Sequence, residues 1–164
     1  MSGSPRWAKL ACLTPASART ISGWVGSRAE ATTFGGRRLP WPLQAEDVLA
    51  MTEEPGREVH LLLDEHDLAV AMGSVLYTGD GSARIGRVLV DPDRRGQGYG
   101  RAIMDAIINL VEARPGINVI RLGVYEDNSV ARSLYESLGF QTVVGDSGNG
   151  KQWAGVQMER PVAQ

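Results

Sequence analysis

The stretch that most constrains the fold of this chain covers residues 88–101 and reads VLVDPDRRGQGYGR. Its first three residues are apolar and β-rich, and Asp91-Pro92 ends that strand because proline has no N–H group to continue a ladder. Three alternating glycines follow, and an apolar pattern with helical spacing begins at Arg101. A strand, a glycine-rich turn and a helix in this order leave backbone N–H groups unpaired at the helix start, where a phosphate or pyrophosphate can bind.

Two common nucleotide-binding motifs do not fit this turn. A P-loop needs a lysine followed by serine or threonine after its last glycine, and Arg101-Ala102 stands there instead. The dinucleotide fingerprint needs two residues between its second and third glycines, whereas only Tyr99 separates Gly98 from Gly100. Taken alone, the turn could also be a plain connection between a strand and a helix.

The turn does resemble the (Arg/Gln)-x-x-Gly-x-(Gly/Ala) signature of the GNAT superfamily of N-acetyltransferases. That signature is spelled here Arg95-Gly96-Gln97-Gly98-Tyr99-Gly100, and a Val-x-Val-x-Pro strand precedes it. Downstream, residues 128–140 read NSVARSLYESLGF, which is similar to a second motif of the family. Two motifs in the family's order, with one predicted helix and one predicted strand between them, argue against a chance match.

Hydrophobic periodicity and turn residues divide the rest of the chain into strands and helices. Strands are predicted over residues 7–13, 60–63, 68–77, 84–90, 119–124, 140–144 and 153–158, the last two as a hairpin across residues 145–150. Helices are predicted over residues 16–33, 44–52 and 99–113. A fourth helix starts with Asp127 or Asn128 as N-cap and ends at Gly139.

The order of these elements implies a mixed α/β sheet in which residues 84–90 and 119–124 are neighbours. The resemblance implies the acyl-CoA N-acyltransferase fold, a single domain with a mixed, mostly antiparallel central sheet flanked by helices. We expect one domain over residues 1–164, with a cofactor core at about 84–140 and an acceptor-side region at about 14–56. The expected buried stripes of the last two helices are Ile103, Ile107, Leu110 and Val111, and then Val130, Leu134 and Leu138.

Size and composition exclude several classes of protein. A chain of 164 residues is long enough for one sizeable core, and its formal charge of −2 argues against nucleic-acid binding. No apolar run approaches the ~20 residues of a membrane helix, and no metal-ligand spacing surrounds the histidines. Cys12 is the only cysteine, so we expect a buried or indifferent thiol rather than a nucleophile. We expect a cytoplasmic monomer or homodimer that binds neither membrane nor nucleic acid.

The resemblance implies that acetyl-CoA is the co-substrate and that an amine is the acceptor. The residues that match the family's cofactor site are Val88, Leu89, Val90, Arg95, Gly96, Gln97, Gly98, Tyr99, Gly100, Arg101, Asn128, Ala131 and Tyr135. The strand can pair its free edge with the pantetheine arm, and an N–H near Leu89 or Val90 would face the thioester oxygen. The strand can equally be a plain core strand, and Asn128 can be a plain helix cap.

Tyr135 matches the family tyrosine that protonates the departing thiolate, and a phenol suits that role as a general acid. The alternative is a half-buried core tyrosine. The general base is less clear, because the family's glutamate positions are occupied here by Arg84 and Gly123, which cannot act as bases. Glu30 is a weak candidate base, and Glu126 or Asp127 could act through water, although each can equally be a surface acid.

Residues 30–41 are the expected acceptor-side wall, because this region varies with substrate in the family. Phe34, Trp41 and Pro42 offer an apolar surface there and Arg37-Arg38 a charged one; alternatively, the loop packs on the sheet edge. The function that follows is acetyl transfer from acetyl-CoA to a primary amine in a ternary complex, without a covalent intermediate. The alternatives are a non-catalytic acyl-CoA-binding sensor and, from the arginine pairs alone, nucleic-acid binding. The sequence does not identify the acceptor.

Overall fold

The computed structural model describes residues 9–143 and 155–163, in which seven strands form one sheet. The strands are β1 (Lys9–Cys12), β2 (Arg57–Leu63), β3 (Ala69–Tyr77), β4 (Ser82–Val90), β5 (Val119–Tyr125), β6 (Gln141–Thr142) and β7 (Gly155–Pro161). Their order is β1-β2-β3-β4-β5-β7-β6. All neighbours are antiparallel except β4 and β5, which are parallel. The predicted mixed, mostly antiparallel sheet is therefore confirmed, as is the adjacency of β4 and β5.

The predicted single helix over residues 16–33 is wrong, because two helices occupy this region. They are α1 (Pro15–Ser22) and α2 (Arg28–Gly35). Gly23 ends the first helix, and Ser27 starts the second by accepting a hydrogen bond from the Glu30 N–H at 3.1 Å. Trp24 and Val25 are buried in the connection rather than on a helix face. Because buried residues in the connection have the same spacing as a helical stripe, the pattern predicts one continuous helix.

The other predicted helices are present. They are α3 (Ala45–Ala50), which a short 3₁₀ turn extends to Glu53, α4 (Tyr99–Glu112) and α5 (Ser129–Ser137). The two faces of the sheet carry separate cores. Helix α4 packs on one face over a cluster that includes Ile85, Ile103 and Ile120, and α1 to α3 pack on the other over a cluster that includes Ile21, Leu61 and Met72.

Two expected core residues are exposed. In α4, Ile103, Ile107 and Val111 are buried as predicted, but Leu110 is 40% exposed, and Met104 and Ile108 are buried in its place. The buried stripe of α4 is therefore wider than predicted, and Leu110 is left uncovered in the last turn of the helix.

In α5, Val130 is 82% exposed, whereas Leu134 and Leu138 are partly buried against the core. The first turn of this helix lines an open cleft instead of a packed layer, so the apolar spacing of its sequence does not mark a buried face there.

The chain end forms the predicted antiparallel pair, with Gln141 opposite Glu159 and Thr142 opposite Met158. The predicted connecting turn over residues 145–150 lies outside the described residues, as do Trp7 and Trp153. Cys12 is exposed at the end of β1 rather than buried. Within residues 9–143 and 155–163, no helix has the length and apolarity to cross a bilayer.

Candidate functional site

A cleft opens in the sheet where β4 and β5 separate. The two strands pair only where residues 82–85 lie beside residues 119–122, although both continue beyond that point. The space between their diverging ends is about 840 Å³. Residues 86–90 and 123–125 form its floor and edges, α2 closes one side and the first turns of α5 close the other. Because the free edges of two strands face this space, backbone groups there are available to a ligand.

A β-bulge in β4 begins this separation. Met72 of β3 is opposite Leu89 and Ser74 is opposite Gly86, so two residues of β4 stand opposite the single residue between them. One of the two is Arg87, whose φ of 52° lies in the left-handed region that arginine rarely adopts. A bulge bends its strand and increases the local twist, so β4 turns away from β5, and its ladder with β3 resumes beyond the bulge at Leu89.

Buried hydrogen bonds hold the bulge in place. The Ser74 hydroxyl, which is fully buried, donates to the Gly86 carbonyl at 2.9 Å and accepts from Arg57 Nη1 at 2.8 Å. Arg57 Nε lies 2.5 Å from Glu54 Oε2, and the same oxygen is 3.4 Å from Arg87 Nη1. The hydrogen bond from Arg57 is the main reason that the pKa of Glu54 is lowered. We call Glu54, Arg57 and Ser74 the bulge clamp.

The glycine-rich turn leads from β4 into α4 at the open end of the cleft. Gly96 and Gly98 have φ values of 77° and 87°, which glycine adopts without strain. The first hydrogen bond of α4 runs from the Ala102 N–H to the Gly98 carbonyl at 3.0 Å. The N–H groups of the first helical turn therefore have no partner within the helix, which makes this turn a candidate anion site.

The side chains of the turn have different surroundings. Arg95 is exposed and lines the cleft, whereas Arg94 Nη2 is tied to Asp64 Oδ2 at 3.2 Å. Arg101 Nη1 donates to the Ser137 hydroxyl at 3.0 Å, and the Tyr99 ring is buried in the core. Of the predicted cofactor residues in this turn, Arg95 lines the cleft, whereas residues 96–101 lie outside its lining.

The second motif reaches the same cleft from α5, where Asn128, Ala131 and Tyr135 line it. Asn128 is the helix N-cap, since its Oδ1 accepts from the Ala131 N–H at 3.3 Å, and the cap and the cleft position are compatible. Burial raises the pKa of Tyr135, whose ring meets the edge of Phe140 at 6.1 Å between centroids. Among the described residues the Tyr135 hydroxyl has no hydrogen-bond partner.

The end of the cleft that faces α2 contains few groups that could act as a base. Arg84 and Gly123 both line it, which is the arrangement expected where the family has glutamates. Glu30 is the one acid in the lining formed by the described residues, and its Oε2 accepts from the Gly26 N–H at 2.7 Å. Glu126 and Asp127 are exposed beside α5 and do not line the cleft.

The wall on this side is shorter than predicted. Residues 29, 30 and 32–36 line the cleft, including Phe34, but Arg37, Arg38, Trp41 and Pro42 do not. Trp41 packs against the core formed with α1 to α3, as in the alternative of a loop packed on the sheet. Arg87 also lines the cleft. The sequence does not predict this position, because it depends on a β-bulge that has no clear sequence signal. No cluster of three or more possible metal ligands occurs in the described part of the chain.

Comparison with known proteins identifies similar sequences and folds. Residues 28–140 match the model of the acetyltransferase (GNAT) family. The ribosomal protein bS18-alanine N-acetyltransferase of Haemophilus ducreyi is 30% identical over 93 residues, which cover 57% of this chain and 63% of that protein. A mycothiol acetyltransferase of Salinispora tropica is 32% identical over 124 residues, 71% of this chain and 40% of that protein. The chain therefore spans less than two thirds of these relatives.

A solved structure extends the likeness to the whole fold. Spermidine N-acetyltransferase from Vibrio cholerae, in complex with CoA and spermine, superposes with a TM-score of 0.74. The superposition covers 96% of this chain and 97% of that one at 16% identity. At this identity the likeness concerns the fold alone.

Proposed function

The chain belongs to the acetyltransferase (GNAT) family, and we propose that it transfers the acetyl group of acetyl-CoA to a primary amine by direct attack within a ternary complex. Acetyl-CoA is the co-substrate of this family, so family membership itself identifies the acetyl donor. The observation that carries the proposal is the cleft that the opened edge of β4, Arg95 of the glycine-rich turn and Tyr135 line together.

The cofactor fits the cleft by its chemistry. The pyrophosphate would accept hydrogen bonds from the turn over residues 96–101, and the pantetheine arm would pair with residues 88–90 like an added strand. The Asp91 N–H donates to the Val70 carbonyl of β3 at 2.9 Å. Because N–H directions alternate along a strand, the Val90 N–H points away from β3 toward the cleft. We therefore assign the oxyanion contact to Val90 rather than Leu89.

The reaction then needs two proton transfers. The neutral amine attacks the thioester carbon, the carbonyl oxygen becomes an oxyanion beside Val90, and the C–S bond breaks. The Tyr135 hydroxyl protonates the departing thiolate and regains a proton from water. The nitrogen of the product loses its proton to water, with Glu30 as the candidate base that accepts it. A phenol with its pKa raised above the usual ~10 remains protonated at neutral pH, so the donor is in the required form.

The alternative proposal is a non-catalytic acyl-CoA-binding sensor, and the absence of a strong base at Arg84 and Gly123 favours it. The single-domain organisation, with a cofactor core at about 84–140 and an acceptor-side region at about 14–56, stays a prediction, as does a cytoplasmic location. The test is to mix the purified protein with acetyl-CoA and a panel of amines and to follow the release of free thiol. Tight CoA binding without turnover on any amine would contradict the enzyme and support the sensor.

A substitution in the bulge clamp tests whether the clamp affects the affinity for acetyl-CoA in addition to the stability of the fold. Ser74→Ala removes the donor to Gly86 and the acceptor for Arg57, and leaves both groups unsatisfied. We expect a loss of about 1–3 kcal/mol in unfolding free energy and, because β4 can then straighten, a rise of about tenfold in the Kd for acetyl-CoA.

The matched control is Ser82→Ala. Ser82 is also buried and also hydrogen-bonded, but to Asp80 and Thr78 in a turn outside the cleft. It should lose comparable stability and keep its affinity for acetyl-CoA. Equal affinities in the two variants, measured by calorimetry, would show that the clamp does not shape the cofactor site.

Arg95 should contribute to cofactor binding only moderately. Its guanidinium is exposed at the mouth of the cleft, and an exposed ion pair is worth about 0.2–1 kcal/mol. We expect Arg95→Ala to raise the Kd for acetyl-CoA about two- to fivefold at low salt. The difference should disappear near 1 M salt, where the Debye length is about 3 Å. Arg37→Ala, which removes an exposed arginine outside the lining, should change nothing at either salt concentration.

A further inference from the structure

Arg84 occupies an unusual position for a charged side chain. It lies in the middle of the sheet on β4, opposite Leu76 on one side and Arg121 on the other. Its side chain is half-buried and lines the cleft at the end where β4 and β5 are still paired. A guanidinium in such a place loses much of its hydration, and it normally has a carboxylate partner to compensate.

No such partner is present among the described residues. Arg84 Nη1 donates to the neutral Gln157 Oε1 at 3.0 Å, and no carboxylate lies within ion-pair distance. Its neighbours Arg121 and Arg57 are themselves paired with acids, at 2.9 Å from Glu159 and 2.5 Å from Glu54. Burial, followed by repulsion from these two arginines, lowers the pKa of Arg84. Four of the five N–H donors of the guanidinium have no hydrogen-bond partner in this part of the chain.

The space beside Arg84 is open to a ligand. Gly123 lines the cleft on β5 and has no side chain to cover the guanidinium. The other charged groups of the lining are Arg87, Glu30 and, in the phosphate turn, Arg95. The acceptor end therefore has two cations and one acid, whose Oε2 is already bonded to a backbone N–H. Such a balance disfavours a polycation and favours an anionic group.

The cofactor is a poor source for that anionic group. Arg84 and Val90 are six positions apart on β4, and Val90 stands next to the phosphate turn. Because of the bulge, their partners Leu76 and Ala71 on β3 are only five positions apart, which corresponds to roughly 17 Å of strand. The pyrophosphate and Arg84 therefore belong to opposite ends of the cleft.

We propose that Arg84 binds a carboxylate of the acceptor, so that the preferred substrates are amines that also carry a carboxylate. The inference rests on the proposed acetyl transfer and specifies its substrate class. An arginine fork matches a carboxylate with two parallel N–H···O bonds, which fixes the orientation of the acceptor as well as its charge. Arg84 acts here as a specificity residue and takes no part in the proton transfers.

The test compares acceptors that differ only in the carboxylate. Because the thioester lies beside Val90, the acceptor must reach along the cleft to Arg84, and a tetrapeptide of roughly 13 Å is long enough. Tetraglycine and tetraglycinamide are offered with acetyl-CoA to the full chain, and kcat/KM is measured from thiol release. We expect a preference of at least tenfold for tetraglycine, which Arg84→Gln abolishes and Arg84→Lys partly retains, while turnover of the amide changes by less than threefold. The control Arg121→Gln alters the neighbouring arginine outside the lining and should keep the preference.

A second measurement does not depend on turnover. Binding of N-acetyltetraglycine and N-acetyltetraglycinamide to the CoA complex is compared by calorimetry for the wild type and Arg84→Gln. Tenfold tighter binding of the carboxylate, lost in Arg84→Gln, supports the anion site even if no amine is acetylated and the proposed function fails. Equal binding and equal turnover of the two members of each pair in the wild type would overturn the inference. A loss of CoA affinity in a folded Arg84→Gln would also overturn it, because the guanidinium would then serve the cofactor.

Discussion

Replacing Gly98 with valine is expected to abolish acetyl-CoA binding. Gly98 has a φ of 87°, and a Cβ built on it would meet no heavy atom within 4 Å. That open space lies at the N-terminus of α4, where the pyrophosphate would sit against the backbone. A β-branched side chain would occupy the space and would also strain the left-handed backbone. Calorimetric titration with acetyl-CoA should show at least a 100-fold increase in Kd.

Gly116→Val separates the loss of ligand space from the strain of the left-handed backbone. Gly116 has the same φ of 87°, and a Cβ there would also meet nothing within 4 Å, but it lies in the turn after the C-terminal end of α4, whereas Gly98 is the N-cap of that helix. Both variants should lose about 1–2 kcal/mol of stability from the strained backbone. Only Gly98→Val should lose the cofactor. Normal binding by Gly98→Val would mean that the turn does not hold the phosphates.

Gly100 allows the same test with little strain. A Cβ there would lie 3.7 Å from Val90 Cγ2 and 3.9 Å from Leu134 Cδ2, which are ordinary contacts, and its φ is not in the left-handed region. Gly100→Ala should therefore fold normally. The larger Gly100→Val should again prevent binding by filling ligand space.

Most of the fold could be predicted because it depends on local pattern. The strands, α4 and the capped start of α5 each follow from periodicity and from turn residues within a few positions. The incorrect predictions concern residues whose burial depends on tertiary packing. Trp24 and Val25 are buried in a connection, Leu110 is left uncovered in the last turn of α4, and Val130 faces the cleft.

The motifs predict part of the cleft lining, and the role of each lining residue stays a prediction. Asn128 and Tyr135 reach the cleft as the second motif implies. The bulge clamp was missed because it joins residues far apart in sequence: Arg57 and Ser74 are 17 positions apart, and Ser74 and Gly86 are 12 apart. Arg87 has a positive φ, a backbone conformation that arginine rarely adopts. The surrounding contacts impose that conformation, so no single stretch of sequence encodes it.

Tyr135→Phe should reduce kcat about 100-fold or more, the usual scale for loss of a general acid. The ring and its edge contact with Phe140 are kept, and the hydroxyl has no hydrogen-bond partner among the described residues. Unfolding free energy should therefore change by less than about 0.5 kcal/mol. The Kd for CoA should stay the same. Single-turnover thiol release, thermal unfolding and calorimetry measure the three quantities on one preparation.

Tyr77→Phe is the matched control, because it removes the same hydroxyl from a tyrosine outside the cleft, where the ring lies 3.8 Å beneath the Arg114 guanidinium. It should leave kcat unchanged. If Tyr135 is only a core residue, its phenylalanine variant should behave like this control, with turnover per folded molecule preserved. The acid role also sets a pH expectation: since burial raises the pKa of Tyr135, the phenol should not limit kcat at any pH below about 10. Full activity of Tyr135→Phe would exclude this tyrosine as the proton donor and leave water to protonate the thiolate.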